Sequence, residues 1–553
     1  MCEIVLFDGE LYNADELKNE LEMLGHKFAH NTDAEILEIV KNSYIEWKED
    51  CLKKFNGVFA LAIKEKDKLF CARDRIGVKP FFYCIDNKDK DFIFAPDIKT
   101  LLKNPKIPAE IDAQSIAEII LLGPGRTPGY GIFKNIFELE PAHYGIFENG
   151  KFKKYKYWDM TDGEHSDNFD QTAEKVRYLV LDSIKRQFAL KNSNNNIICT
   201  MLSGGLDSSL ITSVAAKYFE EHGQKLHSFS VDYKDNAKYF NANKFQPNSD
   251  GEYIERMKNY LNDSSGEFFE HHQIILDTQD LVNALYAAVD ARDLPGMADV
   301  DASLLLFCKE IKKIADIALS GESADEIFGG YPWYRYKEIR ERDGFPWSQS
   351  TDFRKTFFKD DFNFIGVNNY VREKYLRAIK ESDVSKTANQ DEKRIKELVN
   401  LNIKWFMQTL LERQNRMSGY NGLTIRAPYC DYRIVEYLYN VPWEYKDYNN
   451  TEKGLLRAAM RGIIPDEVLW RKKSPYPKTH NPEYLNAVSK ILTEIINEPS
   501  SPLLNIVNKE ALENLINNNS SVPWYGQLMT KPQTIAYFIQ INYWLEKYKI
   551  RIV

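Results

Sequence analysis

Apolar and polar positions follow two regimes along this chain. In the first hundred residues short apolar runs alternate with charged turns, and one segment has helical spacing. Residues 4–7 read as a strand, and residues 14–24 as a helix that Asn13 could cap and Gly25 would close. Residues 58–63 and 68–72 flank a charged turn and predict a hairpin. From 108 to 158 loops carrying Gly123-Pro124-Gly125 and Thr127-Pro128-Gly129 mix with short strands, and the polar stretch 159–168 reads as a linker. Beyond it Val176, Leu179, Val180 and Ile184 recur at helical spacing. An apolar run over 196–201 then stops at Ser203-Gly204-Gly205 and resumes as a helix through Lys217. Strand-like segments at 227–233, 268–275 and 316–319 alternate with helical ones at 281–288 and 303–314, and the polar insert 234–247 reads as a surface loop. This βα alternation predicts a parallel, doubly wound sheet with ligands at the carboxyl ends of its strands. The block from residue 403 onward reads as helical, and the helices after Leu485 as peripheral.

Composition narrows the picture. A chain of 553 residues exceeds one core, so two units are expected, 1–158 and 169–553. The net charge of −8 is modest for this length and makes no case for nucleic acid or an anionic membrane as partner. No apolar stretch approaches the roughly 20 residues of a membrane span. Glu3 and Asp8 break the first apolar run, against a signal peptide, and a cytoplasmic location is expected. The cysteines at 2, 51, 71, 84, 199, 308 and 430 are scattered, odd in number and without metal-ligand spacing, which predicts reduced thiols.

Two stretches carry the candidate chemistry. In Leu202-Ser203-Gly204-Gly205-Leu206-Asp207-Ser208-Ser209 the paired glycines permit close backbone approach. The amides opening the following helix suit phosphate, and Ser203, Ser208 and Ser209 add hydroxyls. Asp207, an acid inside a phosphate loop, makes sense with a divalent metal; a plain turn and N-cap is the bland alternative. The second stretch, Ser320-Gly321-Glu322-Ser323-Ala324-Asp325-Glu326, sets three acids within five residues at a strand end. That arrangement is costly without a metal, a cationic ligand or a lysine, although first-turn helix acids would look the same.

The first loop resembles the pyrophosphate-binding loop of the ATP pyrophosphatases, and no Gly-x-x-x-x-Gly-Lys-Ser/Thr loop occurs. Asp8-Gly9-Glu10-Leu11-Tyr12-Asn13, Thr32-Asp33-Ala34-Glu35, Phe55-Asn56-Gly57-Val58-Phe59-Ala60 and Ala72-Arg73-Asp74-Arg75-Ile76-Gly77-Val78-Lys79-Pro80 resemble the glutaminase domain of glutamine-dependent asparagine synthetases. The Glu322 block resembles that family's second signature, with Ser323 where Gly is more usual. Arg426 with Asp431, the run Lys453-Gly454-Leu455-Leu456-Arg457, and Trp470-Arg471-Lys472-Lys473 follow in family order.

The resemblance implies an α/β protein. A shortened α+β glutaminase-like domain of the N-terminal nucleophile type would precede a doubly wound parallel-sheet ATP pyrophosphatase domain with a helical C-terminal part. It implies amidation of aspartate through β-aspartyl-AMP, releasing AMP and pyrophosphate. ATP would meet Leu202, Ser203, Gly204, Gly205, Asp207, Ser208, Ser209, Val231, Ser320 and Gly321. Mg²⁺ would sit on Asp207 and Asp325, with Glu322 and Lys473 catalytic and Tyr476-Pro477 in a loop able to close over them. Gly9, Glu10 and Asp33 match positions that hold glutamine.

The family's nucleophile cysteine is followed by several dozen residues, including a His-Arg-Gly-Pro-Asp segment, before an Asn-Gly-Glu motif. Here the equivalent begins at Asp8, and a carboxylate would repel a developing oxyanion. Cys2 is the candidate nucleophile, with its α-amino group as base once Met1 is removed, yet by register it falls in the strand leading into Asp8. Ammonia is therefore the expected nitrogen source. A lactam-forming relative and a degenerate nucleotide-binding subunit stay open as alternatives. The expected partners are small molecules, and a homodimer is left open.

Overall fold

The computed structural model describes residues 2–28, 33–86, 88–189, 196–240, 249–359, 369–387, 389–518 and 522–553. Strand β1 (Cys2–Leu11) outruns the expected 4–7 because antiparallel pairing with β2 (Gly57–Glu65) continues through its polar end, Gly9 facing Phe59 and Glu10 facing Val58. Helices α1 (Ala14–Met23) and α2 (Asp33–Trp47) lie between these strands. Asn13 does occupy the N-cap position of α1, but its side chain does not cap. Its Nδ2 donates to the Lys54 carbonyl and its Oδ1 accepts from the Asn56 amide, both at 2.9 Å, which staples the helix entry to the loop before β2.

Strands β3 (Lys68–Arg73), β4 (Phe82–Asp86), β5 (Asp91–Ala95), β6 (Glu110–Ile111), β7 (Ile136–Glu138), β8 (His143–Glu148) and β9 (Lys151–Lys156) follow. They form a sheet of order β1-β2-β3-β8-β9 and a second of order β5-β4-β7. Alternation along β2 buries both faces: Leu61 and Ile63 pack with Leu17, Leu21 and Val40, while Ala60 and Ala62 pack with Phe81 and Tyr83.

The stretch 159–168 has no regular structure before Phe169, yet it is tied down. Asp162 is buried and accepts from Lys396 Nζ at 2.5 Å and Thr387 Oγ1 at 2.8 Å. A buried carboxylate requires such partners, and these lie more than 200 positions away in sequence.

The second half opens with α3 (Phe169–Ala189), β10 (Ile198–Met201), α4 (Leu206–Glu221), β11 (Leu226–Tyr233), α5 (Asp250–Ser265), β12 (Phe269–Leu276), α6 (Thr278–Arg292), α7 (Asp299–Lys312) and β13 (Ile317–Leu319). Most of the expected surface loop, 241–248, lies outside the described residues. Helices α8 (Ala324–Phe328) and α9 (Met407–Tyr420) lead to β14 (Thr424–Arg426). This last strand corrects the expectation of a wholly helical third block; three residues are too few to show a period. The five strands are parallel, in the order β12-β11-β10-β13-β14. The order reverses between β10 and β13, which opens a crevice at their carboxyl ends.

The helices after Leu485 are not peripheral. Helix α10 (Lys531–Lys547) buries Ile535, Ala536, Tyr537, Phe538 and Ile539 in consecutive positions and Ile541 beyond them, together with the hydrogen-bonded Gln533, Gln540 and Asn542, and so is enclosed on all sides. After it β15 (Arg551–Ile552) pairs in parallel with β6. No described helix is long and apolar enough to cross a membrane, and all seven cysteines are free thiols.

Candidate active site

Strand β10 delivers the first loop into the crevice. The Leu202 amide still donates to the Phe229 carbonyl (2.7 Å), so the sheet holds the loop's entry. The Ser203 amide then donates to Ser208 Oγ (3.1 Å), and the two serine hydroxyls lie 2.9 Å apart. Gly204 takes a φ of +67°, and a Cβ there would meet the Ile254 amide nitrogen at 2.7 Å, so the turn needs glycine twice over. The neighbouring strand β13 delivers Ser320, Gly321 and Glu322. A Cβ on Gly321 would lie 2.9 Å from Asp207 Cβ, so this glycine lets the two acidic loops touch.

One cavity collects most of the expected residues: Leu202, Ser203, Gly205, Asp207, Ser208, Val231, Ser320, Gly321, Glu322, Asp325 and Lys473 all line it. Gly204 and Ser209 do not; Ser209 is buried in the first turn of α4. Lys453, to which no individual role was assigned from sequence, lies at the centre. Its Nζ is 2.5 Å from Asp207 Oδ2 and 2.9 Å from Asp325 Oδ1, and its side chain is 3% exposed. Lys473 Nζ lies 3.0 Å from Asp325 Oδ2 and 3.9 Å from the centre of the Tyr331 ring, a cation–π contact. Lys453 sits at φ +56° before a short helix, a conformation no spacing rule announces.

The acids respond differently. Burial, helped by neighbouring Asp325, raises the Asp207 carboxyl against the pull of Lys453. Burial also opposes ionisation of Asp325, but Lys453 and Lys473 together outweigh it and hold that carboxyl well below the ordinary range. Glu322 is raised by burial, with Arg413 opposing. Glu326 is pushed up to about 8, by burial first and then by Glu322 and Asp325, and it accepts a hydrogen bond from the Tyr331 hydroxyl at 2.6 Å. Sequence reasoning passed over Arg413, whose guanidinium stacks 4.4 Å from the ring centre of Tyr476, and over Gln414, whose Oε1 accepts from Ser320 Oγ at 2.6 Å. Both lie on α9, where only the fold reveals which face meets the crevice.

The arrangement suits a hard divalent cation. Asp207 Oδ1 is buried with no hydrogen-bond partner among the described residues, and both carboxylates already reach a single cation, the Lys453 ammonium. All-oxygen donors fit Mg²⁺.

The residues expected around glutamine are not gathered in this way. Cys2 and Glu10 stand at opposite ends of β1, about 26 Å apart at roughly 3.3 Å per residue. The Cys2 thiol is raised by burial and then by Glu65, conditions that disfavour a thiolate. Asp8 pairs with Lys79 at 2.7 Å. Glu10 is engaged by Arg426, whose Nε and Nη2 lie 2.9 and 2.6 Å from its oxygens. The Asp33 side chain lies outside what the structure describes.

The asparagine synthase family matches residues 175–546, and a glutamine amidotransferase domain matches residues 2–158. The glutamine-hydrolysing asparagine synthetase 3 of Bacillus subtilis is 45% identical over 99% of this chain and 88% of its own length. Asparagine synthetase 1 of that organism is 26% identical over 89% of this chain and 78% of its own. The asparagine synthetase of Mesocricetus auratus is 24% identical over 85% and 71%. With this crevice between β10 and β13, and with the match running through both halves, the chain belongs to the asparagine synthase family, carbon–nitrogen ligases that carry a glutamine amidotransferase domain ahead of the synthase domain.

Proposed function

We propose that the protein converts aspartate to asparagine through a β-aspartyl-AMP intermediate, releasing AMP and pyrophosphate, with ammonia as its effective nitrogen donor. The observation that carries this reading is the meeting of Asp207, Asp325, Lys453 and Lys473 beside the 203–209 loop.

The adenine has an apolar wall in Leu202, Phe229 and Val231, and the triphosphate runs toward the loop amides and the hydroxyls of Ser203 and Ser208. Asp207 and Asp325 would hold Mg²⁺, which when bound supplies neutralising charge to the pyrophosphate leaving group. A β-carboxylate oxygen of aspartate attacks the α phosphorus, and the bond to the β-phosphate oxygen breaks. Lys473, steered by Asp325 and the Tyr331 face, meets the negative charge that builds on the α phosphate. Lys453 accompanies the departing pyrophosphate. Ammonia then attacks the acyl carbon, AMP leaves, and Glu322 takes a proton from the new nitrogen. Burial raises this carboxyl toward the range where a base works.

Ammonia is favoured over glutamine because Glu10, the expected glutamine contact, is spent on Arg426. The test is pyrophosphate release from ATP with and without aspartate, using saturating ammonium or saturating glutamine. Aspartate-dependent release with asparagine as product, supported far better by ammonium, is expected. Release indifferent to aspartate would point to another acceptor, and brisk glutamine-driven synthesis would overturn the nitrogen assignment.

A further inference from the structure

A second cluster lies on the same sheet, at the opposite ends of the strands from the crevice. β11 and β12 run parallel with His227 opposite Glu270 and Phe229 opposite His272. Side chains two apart share a face, so His227, Glu270 and His272 converge on one side of the sheet, and β12 is its edge strand. His227 Nδ1 is 3.0 Å from His272 Nε2. It is 3.8 Å from Glu270 Oε2, and His272 Nε2 is 3.7 Å from Glu270 Oε1.

We propose that His227, Glu270 and His272 form a binding site for a borderline divalent transition metal, with Zn²⁺ as the natural occupant. The two imidazole nitrogens lie 3.0 Å apart and each has one Glu270 oxygen within 3.8 Å, close to the roughly 3.3 Å separation expected of ligands about 2.0–2.1 Å from a tetrahedral zinc. Two imidazoles and one carboxylate leave the fourth position to water. The His272 ring is preset, stacked on Phe229 at 4.7 Å between centres with 20° between planes. Because one imidazole can donate to the other, both can be neutral, the form that binds metal.

Lys225 Nζ lies 3.3 Å from Glu270 Oε2. Its side chain is half-exposed, so it can swing into solvent when a cation replaces it. The cluster differs from the acidic group of Asp86, Asp89 and Asp91, where Lys106 already supplies the cation at 2.6 and 2.9 Å from two of the carboxylates. It differs also from the crevice, whose carboxylates prefer a hard ion. A metal here would pin the edge strand to its neighbour and stabilise the sheet without entering the reaction.

The test uses the full chain, stripped with chelator and titrated with Co²⁺ in millimolar magnesium, which keeps the carboxylate site filled with its own ion. One equivalent of Co²⁺ with the strong visible absorption of a tetrahedral, nitrogen-containing site is expected, displaced by Zn²⁺, with a rise in thermal midpoint on adding Zn²⁺. His272→Ala should weaken binding by at least about 100-fold and Glu270→Gln by about 10-fold or more, both leaving magnesium-dependent synthesis unchanged. Absence of a tetrahedral spectrum, or equal Co²⁺ affinity in wild type and His272→Ala, would overturn the assignment. Should His272→Ala fail to fold, Glu270→Gln decides by the same comparison.

Discussion

Glu326→Gln probes the charge balance of the crevice. The carboxyl is 1% exposed and is pushed from 4.5 to about 8, chiefly by burial and then by Glu322 and Asp325. At about 1.4 kcal/mol per decade, this gap corresponds to roughly 5 kcal/mol, an upper figure because structural relaxation and water entry reduce it. The folded protein binds this proton more tightly than the unfolded chain does. Its stabilising contribution is therefore full below about pH 4.5 and is lost progressively as pH climbs to about 8. Glutamine keeps the shape and the oxygen that accepts from Tyr331 but cannot ionise. The variant should exceed the wild type by about 1 kcal/mol at pH 5 and by several kcal/mol at pH 9. Urea unfolding of both proteins at pH 5, 7 and 9 measures this, with the widening gap between the transitions as the readout. Curves that stay a constant distance apart across that range would refute the reasoning, since they would show Glu326 to be ionised throughout or its proton to be unlinked to folding.

Lys453→Met should leave Asp207 and Asp325 confronting each other, costing roughly 3 kcal/mol of stability and lowering pyrophosphate release by about 100-fold or more; denaturation and a coupled pyrophosphate assay check both. Lys473→Ala should lower turnover by a similar factor while equilibrium ATP affinity moves less than about 3-fold, and Lys473→Arg should rescue only in part because a planar fork replaces a compact charge. Glu10→Gln removes the anion facing buried Arg426 and should cost about 2–4 kcal/mol by denaturation; a change under half a kcal/mol would show that the pair contributes little. Cys2→Ala should leave the ammonium-supported rate unchanged in steady-state assays.

The site was legible in sequence wherever its chemistry is local. The Ser-Gly-Gly loop after an apolar run and the acids that follow another both end in the same crevice, because a strand end followed by a helix start dictates where amides and carboxylates point. Lys453 was harder: its importance comes from reaching two aspartates 246 and 128 positions away, with a left-handed backbone that composition does not reveal. Glu10 shows the opposite difficulty. Its motif suggested a ligand contact, while the fold gives the same carboxylate to an arginine 416 positions distant. The polar tract around Asp162 looked like a free tether for the same reason, since a buried ion pair and a solvated acid share one letter. The short β14 and the buried α10 escaped because a three-residue strand has no period and a helix enclosed on all sides, with Gln533, Gln540 and Asn542 buried among its apolar residues, shows no apolar face.

The pairing of β15 with β6 bears on how the polypeptide is completed as it is synthesised. Arg551 meets Glu110 across a separation of 441 positions, and the amides of Arg551 and Val553 donate to the carbonyls of Ala109 and Ile111. On the ribosome the amidotransferase half emerges long before this strand does, so its β6 edge must wait, unzipped, while the roughly 440 residues between them are translated. The two halves are thus bound by a late clasp as well as by the Glu10–Arg426 bridge. A nascent chain stalled before residue 551 would present that open edge to its neighbours, a hazard of strand-to-strand association that pairing with β15 removes.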